Sequence, residues 1–110
     1  MAIESYKNAK VILINDSISD LYETPTNKSA VVHAVFFANL TTTDLHVSLI
    51  VESDNLSYVV GNQIKIRKNT SLSWDKPINL APTEKLKVQS SSIVGNITVF
   101  ASILELEFGV

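Results

Sequence analysis

The chain has 110 residues, a formal net charge of -2 and no cysteine. This length predicts one domain with its own hydrophobic core, and the lack of cysteine excludes disulfides and thiolate metal sites. The acidic balance argues against a nucleic-acid partner, which requires a basic surface. The sequence has no apolar run long enough to span a bilayer and no signal-peptide pattern at its start, so we expect no membrane partner.

The chain is predicted to consist of a short arm followed by one domain. Residues 1–9 are predicted to form an N-terminal arm that can be extended, and residues 10–110 a single β-domain. The first predicted strand, residues 10–15, is apolar on both faces. The next long run, residues 30–40, is also apolar on both faces and rich in valine and phenylalanine, as central strands are.

Alternation of apolar and polar residues dominates the middle of the chain. In residues 43–52 every odd position from Leu45 to Val51 is apolar, and the even positions are mostly polar. Residues 63–67 and 85–90 repeat this period of two, which is typical of half-buried strands. The last run, residues 97–108, is again apolar on both faces, and Glu105 and Glu107 are predicted to mark its solvated end.

Turn-forming residues separate these runs at short intervals, and no window has the period of an amphipathic helix. The sequence therefore predicts an all-β fold with about eight to ten short strands and essentially no helix. We expect a single antiparallel β-sandwich of jelly-roll or immunoglobulin-like topology.

No catalytic site is predicted. Asp44, His46 and Ser48 contain the residue types of a hydrolytic triad, but they share one face of a predicted strand. Neighbours on one face lie about 6.5 to 7 Å apart, whereas a triad needs hydrogen bonds of about 3 Å. His33 and His46 are the two histidines, too few to predict a metal site. We therefore expect no enzyme activity, no cofactor and no metal.

Four basic residues point outward on two predicted strands: Lys65, Arg67, Lys85 and Lys87. Three interpretations stay open: a basic patch for nucleic acid, a solvated strand edge that discourages aggregation, and a contact with an acidic partner subunit. The solvated edge is favoured because no aromatic side chains for base stacking are interleaved.

The chain carries more apolar strand surface than a small sandwich can bury. Phe36 and Phe37 point to opposite faces of their strand, so one of them must leave the core or be covered by a neighbour. This excess predicts a homo-oligomer, with a trimer as one option. The candidate subunit contacts are Ile12, Ile14, Phe37, Lys65, Arg67, Lys85, Lys87 and Phe100.

The order of local patterns resembles that of the small β-sandwich virion structural proteins of tailed bacteriophages, especially marine and cyanobacterial phages. The resemblance covers about residues 20–106. It rests on a Tyr-x-x-Pro opening (residues 22–25), the strand that ends in Ala-Asn-Leu (38–40), a Thr-Thr-Thr turn (41–43) and the closing strand (97–105). One difference is the turn at 68–70, Lys-Asn-Thr, where those proteins carry a glycine; asparagine tolerates the same positive φ.

The resemblance implies a non-enzymatic virion protein, located in the particle. The first expectation is a capsid decoration or cement protein that binds the major capsid protein and stabilises the assembled head. The alternative is a neck, collar or tail accessory protein that binds other neck or tail proteins. A further alternative, from a different class, is a carbohydrate-binding module that uses Trp74 or Tyr58.

Overall fold

A computed structural model describes residues 2–91 and 96–108. This part of the chain forms nine β-strands: β1 (Ala2–Leu13), β2 (Ser19–Glu23), β3 (Lys28–Asn39), β4 (Leu45–Ser53), β5 (Leu56–Ile66), β6 (Thr70–Trp74), β7 (Ile78–Leu80), β8 (Lys85–Ser90) and β9 (Ile97–Phe108). Within the described residues no helix is long and apolar enough to cross a membrane.

The strands form two antiparallel sheets. Sheet A has the order β1-β9-β3-β6, with β7 also paired to β3, and sheet B has the order β2-β8-β4-β5. The pairing is nested: the first strand pairs with the last, β2 pairs with β8, β3 pairs with β6 and β7, and β4 pairs with β5. A folded antiparallel ribbon with this nesting is a jelly roll. The predicted all-β sandwich is confirmed, with jelly-roll and not immunoglobulin-like topology.

The core lies between the two sheets. Sheet A contributes the odd positions of β9 from Ile97 to Ile103 and the inward residues of β3, while sheet B contributes β4 and β8. The inward face predicted for residues 45–51 is confirmed, because all four odd positions are buried, but Ser48 and Ile50 on the other face are buried as well. The largest side chain in the core is Phe37. Apolar burial on this scale is the main force that holds the sheets together.

The N-terminal segment is not a separate arm. Residues 2–9 belong to β1, which pairs with β9 in an unbroken register from Ala2 opposite Phe108 to Leu13 opposite Ile97. The sequence did not predict this part of the strand, because β1 is an edge strand and Glu4, Lys7 and Asn8 are exposed. Its backbone hydrogen bonds to β9 hold it in place without the apolar alternation that usually marks a strand.

Local turn chemistry accounts for two of the connections. Asp54 and Asn55 both have positive φ and join β4 to β5 directly, as the two central residues of a type I′ hairpin turn require. Asn69, in the turn before β6, has φ of 52°. The expectation that this asparagine adopts the conformation of a glycine is therefore confirmed.

Candidate interaction surface

The outer face of sheet B carries charges that are paired within the chain. The Lys87 ammonium lies 2.7 Å from a Glu52 carboxylate oxygen and 3.7 Å from one of Asp20. The hydrogen bond with Glu52 is the main reason that the pKa of Lys87 is raised, and the same bond lowers the pKa of Glu52. Lys85 pairs with Glu23 at 3.9 Å. This face therefore carries a network of ion pairs, of which the Lys87–Glu52 pair is partly buried.

The four predicted basic residues do not form one patch. Strand β4 lies between β5, which holds Lys65, and β8, which holds Lys85 and Lys87. Lys65 pairs with Asp44 at 3.7 Å, and Arg67 follows β5 as an exposed residue. Because the three lysines each have a carboxylate neighbour, this geometry does not concentrate positive charge for a nucleic acid.

Asp44, His46 and Ser48 each take part in a structural contact. Asp44 accepts a hydrogen bond from the Lys68 backbone N–H, the main reason that its pKa is lowered. The backbone of His46 bonds to Ser91, and the buried Ser48 hydroxyl accepts from the Gln63 N–H at 3.2 Å. Among the described residues no group of three His, Cys, Asp or Glu side chains is placed to hold a metal ion.

The outer face of sheet A is different, because it is largely apolar and uncharged. Phe36 and Phe100 lie opposite each other on β3 and β9, with ring centroids 6.4 Å apart and planes tilted by 46°. Phe36 is 42% exposed and Phe100 is half-buried. Ile12 on β1 lies on the same face and is exposed, and Ile14, just beyond the strand, is exposed as well. As subunit contacts, Ile12, Ile14 and Phe100 stay predictions.

Phe37 is not a surface residue, so its prediction as a subunit contact is wrong. Its side chain is 0% exposed and lies in the core of this one chain. The sequence shows only that Phe36 and Phe37 point to opposite faces. The neighbours decide which one is inside: Phe37 pairs with Val99, which faces the core, and Phe36 with Phe100, which faces outward.

Glu105 is buried in the sandwich, which corrects the expectation of a solvated strand end. It continues the inward positions of β9 and is 4% exposed. The Tyr22 hydroxyl donates a hydrogen bond to it at 2.5 Å, and the Lys28 ammonium donates at 3.2 Å. Burial pushes the pKa of Glu105 upward, but the hydrogen bonds from Tyr22 and Lys28 outweigh it and hold the pKa below its ordinary value. Burial and the Glu105 carboxylate together raise the pKa of Tyr22.

A cleft at the open side of the sandwich brings together Tyr58 and Trp74, the two aromatic residues of the carbohydrate-binding alternative. It has a volume of about 620 Å³, and Lys76, Asn79 and Glu84 also line it. Lys76 lies over the Trp74 ring, 5.0 Å from its centroid. A ligand that stacks on this face of Trp74 would have to displace the lysine.

Comparison with known proteins finds likeness in fold and none in sequence. No family model matches the chain, and no curated protein matches it. Among solved structures, a chain of the acid-stable capsid of Helicobacter pylori bacteriophage KHP30 aligns with a TM-score of 0.61 at 13% identity. The alignment covers 96% of this chain and 93% of that one.

Two further solved structures, one viral and one from a bacterial pilus, align with the chain equally well. The VP2 subviral particle of infectious bursal disease virus aligns with a TM-score of 0.59 at 11% identity over 98% of this chain and 33% of that one. A chain of the disulfide-linked pili of Bacillus endospore appendages also aligns with a TM-score of 0.59, at 9% identity over 99% of this chain and 92% of that one. The TM-scores of these alignments show a shared fold at very low sequence identity, and this fold occurs in viral capsids and in bacterial pili.

Proposed function

We propose that this chain is a non-enzymatic structural protein of a bacteriophage virion, a decoration or cement protein bound to the major capsid protein of the head. The observation that carries the proposal is the alignment along nearly the whole length of both chains with a phage capsid chain. The outer face of sheet A, which is largely apolar and carries little charge, supports it.

A cement protein stabilises a capsid because it binds the assembled shell in preference to separated subunits. A protein that binds assembled capsid subunits more tightly than separated ones stabilises the shell by that difference in binding free energy. A rigid sandwich suits this role, since little conformational entropy is lost when it binds. When each copy bridges several capsid subunits, contacts of modest affinity add up through multivalency.

The test compares virions of the encoding phage that carry the chain with virions of a deletion strain. Heat-induced release of DNA, followed by a fluorescent intercalating dye, gives the temperature at which the head opens. We expect release at a lower temperature from the deletion particles, and recovery of the wild-type temperature when purified protein is added back. Equal release temperatures, or no binding of the added protein to heads, would contradict the cement role.

The neck, collar or tail role is the alternative within the same class of protein, and copy number separates the two. Quantitative mass spectrometry of purified virions, with the major capsid protein as internal standard, gives that number. A decoration protein is expected in about the same order of copies as the major capsid protein. A small fixed number of copies would instead support the neck or tail alternative.

A carbohydrate-binding role is a second candidate, favoured by the cleft that contains Tyr58 and Trp74. Its size lies within the range of ligand sites, about 300 to 1,000 Å³. A glycan array probed with the purified chain tests it. Binding lost in Tyr58→Ala and kept in Tyr6→Ala, an exposed tyrosine on β1 outside the cleft, would support this role. An array without signal, or equal binding by both variants, would remove it.

A further inference from the structure

The outer face of sheet A is corrugated. Its side chains form four rows across the strands, in the order Ile12–Thr98–Ala38–Ser71, Lys10–Phe100–Phe36–Ser73, Asn8–Ser102–Ala34 and Tyr6–Leu104–Val31–Asn79. The central positions of the first and third rows are small, and those of the second and fourth are large. Phe36 and Phe100 form one wall of a shallow groove of about 220 Å³, and Ala38, Thr98 and Ser71 also line it.

These four rows contain little charge. Lys10 is their one formally charged side chain, and His33 lies exposed at the bulge between Val32 and Ala34. Sheet B, by contrast, presents ion pairs on its outer face. Depletion of charge at the centre of a surface is the compositional mark of a protein interface. Few charges also mean that two copies of the same face would not repel each other.

The face is large enough for a specific contact. Four strands spaced about 4.8 Å apart give a width of about 19 Å, and four rows spaced about 6.6 Å apart give a length of about 26 Å. The flat area is therefore about 500 Å² per copy and about 1,000 Å² for a pair, the size at which specific interfaces begin. Glu4, Leu106 and Ser29 form the next row and extend the face further, adding one acidic side chain at its edge.

We propose that the outer face of sheet A is the interface of a two-fold homodimer of this chain. A two-fold axis in the plane of the interface, crossing the strands between the second and third rows, places every large row over a small row of the second copy. Such an isologous contact is self-complementary. It also sets each Lys10 opposite an asparagine of the second copy and not opposite the other Lys10.

The dimer provides the subunit contact that the proposed virion role requires. Its biological setting rests on that proposed function. It assigns that contact to Phe36, Phe100, Leu104 and Ile12 and leaves the charged face of sheet B for other contacts. Association of the purified chain in solution does not depend on that role. A dimer from a chain that is absent from virions would remove the proposed function and keep the interface, whereas a virion protein that is monomeric in solution would do the reverse.

The test is sedimentation velocity of the full chain from about 1 to about 200 μM, which brackets a micromolar Kd. We expect wild type to dimerise and Phe36→Asp to shift the midpoint of dimerisation at least tenfold to higher concentration. The matched control is Val59→Asp, because Val59 is 57% exposed and pairs with Ile50 on the outer face of sheet B. This control is expected to dimerise like wild type.

A second variant keeps the test independent of folding defects. Thr98→Arg places a large charged side chain in the groove, and circular dichroism checks that each variant keeps the β-sheet spectrum of wild type. If Phe36→Asp unfolds, Thr98→Arg is expected to show the same shift to monomer. A wild-type chain that stays monomeric over the whole range, or a Val59→Asp that dissociates as readily as the sheet A variants, would overturn the proposal.

Discussion

Replacing Glu105 by glutamine tests whether the buried carboxylate stabilises the sandwich. Glutamine keeps the size of the side chain, and its carbonyl oxygen can still accept the hydrogen bond from the Tyr22 hydroxyl. It removes the negative charge that receives the Lys28 ammonium at 3.2 Å. The substitution therefore separates the effect of charge from the effect of volume.

The expected loss follows from the two contacts. A hydrogen bond to a charged group contributes about 1.5 to 3 kcal/mol. The Lys28 side chain is 21% exposed, so water can solvate its ammonium once the carboxylate is gone and offsets part of the lost interaction. We therefore expect Glu105→Gln to lower the free energy of unfolding by about 2 kcal/mol at pH 7. For a domain of this size the midpoint of thermal unfolding falls by roughly 4 °C per kcal/mol, hence by about 8 °C. Differential scanning calorimetry and urea unfolding measure both quantities.

The pH dependence gives the sharper check. The folded pKa of Glu105 lies below its ordinary value of 4.5, so the carboxylate contributes stability above that pH and loses it as the pH falls through the folded pKa. The difference in unfolding free energy between wild type and Glu105→Gln is expected to reach its full value above about pH 5 and to shrink as the pH falls further.

Glu107→Gln is the matched control, since Glu107 lies two residues further along β9 and accepts an exposed hydrogen bond from Asn27. Its effect is expected to stay within about 0.5 kcal/mol. A Glu105→Gln variant as stable as wild type at pH 7, or a difference that persists unchanged at pH 3, would refute the reasoning.

Two further substitutions test the core and the loop between β3 and β4 by urea unfolding. Phe37→Ala is expected to cost about 3 to 5 kcal/mol because it leaves a cavity in the core, whereas Phe36→Ala on the opposite face should cost less than about 1.5 kcal/mol; equal losses would contradict the assignment of the two faces. Asn39→Ala is expected to cost about 3 kcal/mol, because the buried amide donates to the Thr43 and Ile66 carbonyls and accepts from Thr41, and these groups lose their partner. Asn27→Ala, at an exposed asparagine, is the matched control and is expected to cost little. A loss under about 1 kcal/mol for Asn39→Ala would show that the loop does not depend on the Asn39 amide.

Much of the sandwich could be predicted from the sequence because its signals are local. The alternation around Leu45 to Val51 and the turn residues between strands both act over a few positions. The pairing of β1 with β9 joins the two ends of the chain, and no local pattern specifies it. The first half of β1 was missed for a related reason: an edge strand with exposed polar residues does not alternate in the way that a half-buried strand does.

The interaction surface could be predicted only in part. The sequence shows that β3 is apolar on both faces, but the choice between Phe36 and Phe37 depends on which residues of β9 face sheet B. Glu105 has the same parity as the core residues of β9, and this parity could have indicated burial. Its partners Tyr22 and Lys28 are far away along the chain, so the sequence gives no sign that the charge is compensated.

The most direct test of the proposed virion role is a cryo-EM map of the virions to which that proposal assigns this chain. The account predicts that the nine-stranded jelly roll is found as repeated density on the outside of the head lattice, in contact with the major capsid protein. Its presence only at the neck or tail would contradict the cement role and support the alternative. A particle that lacks the chain would contradict the structural role altogether.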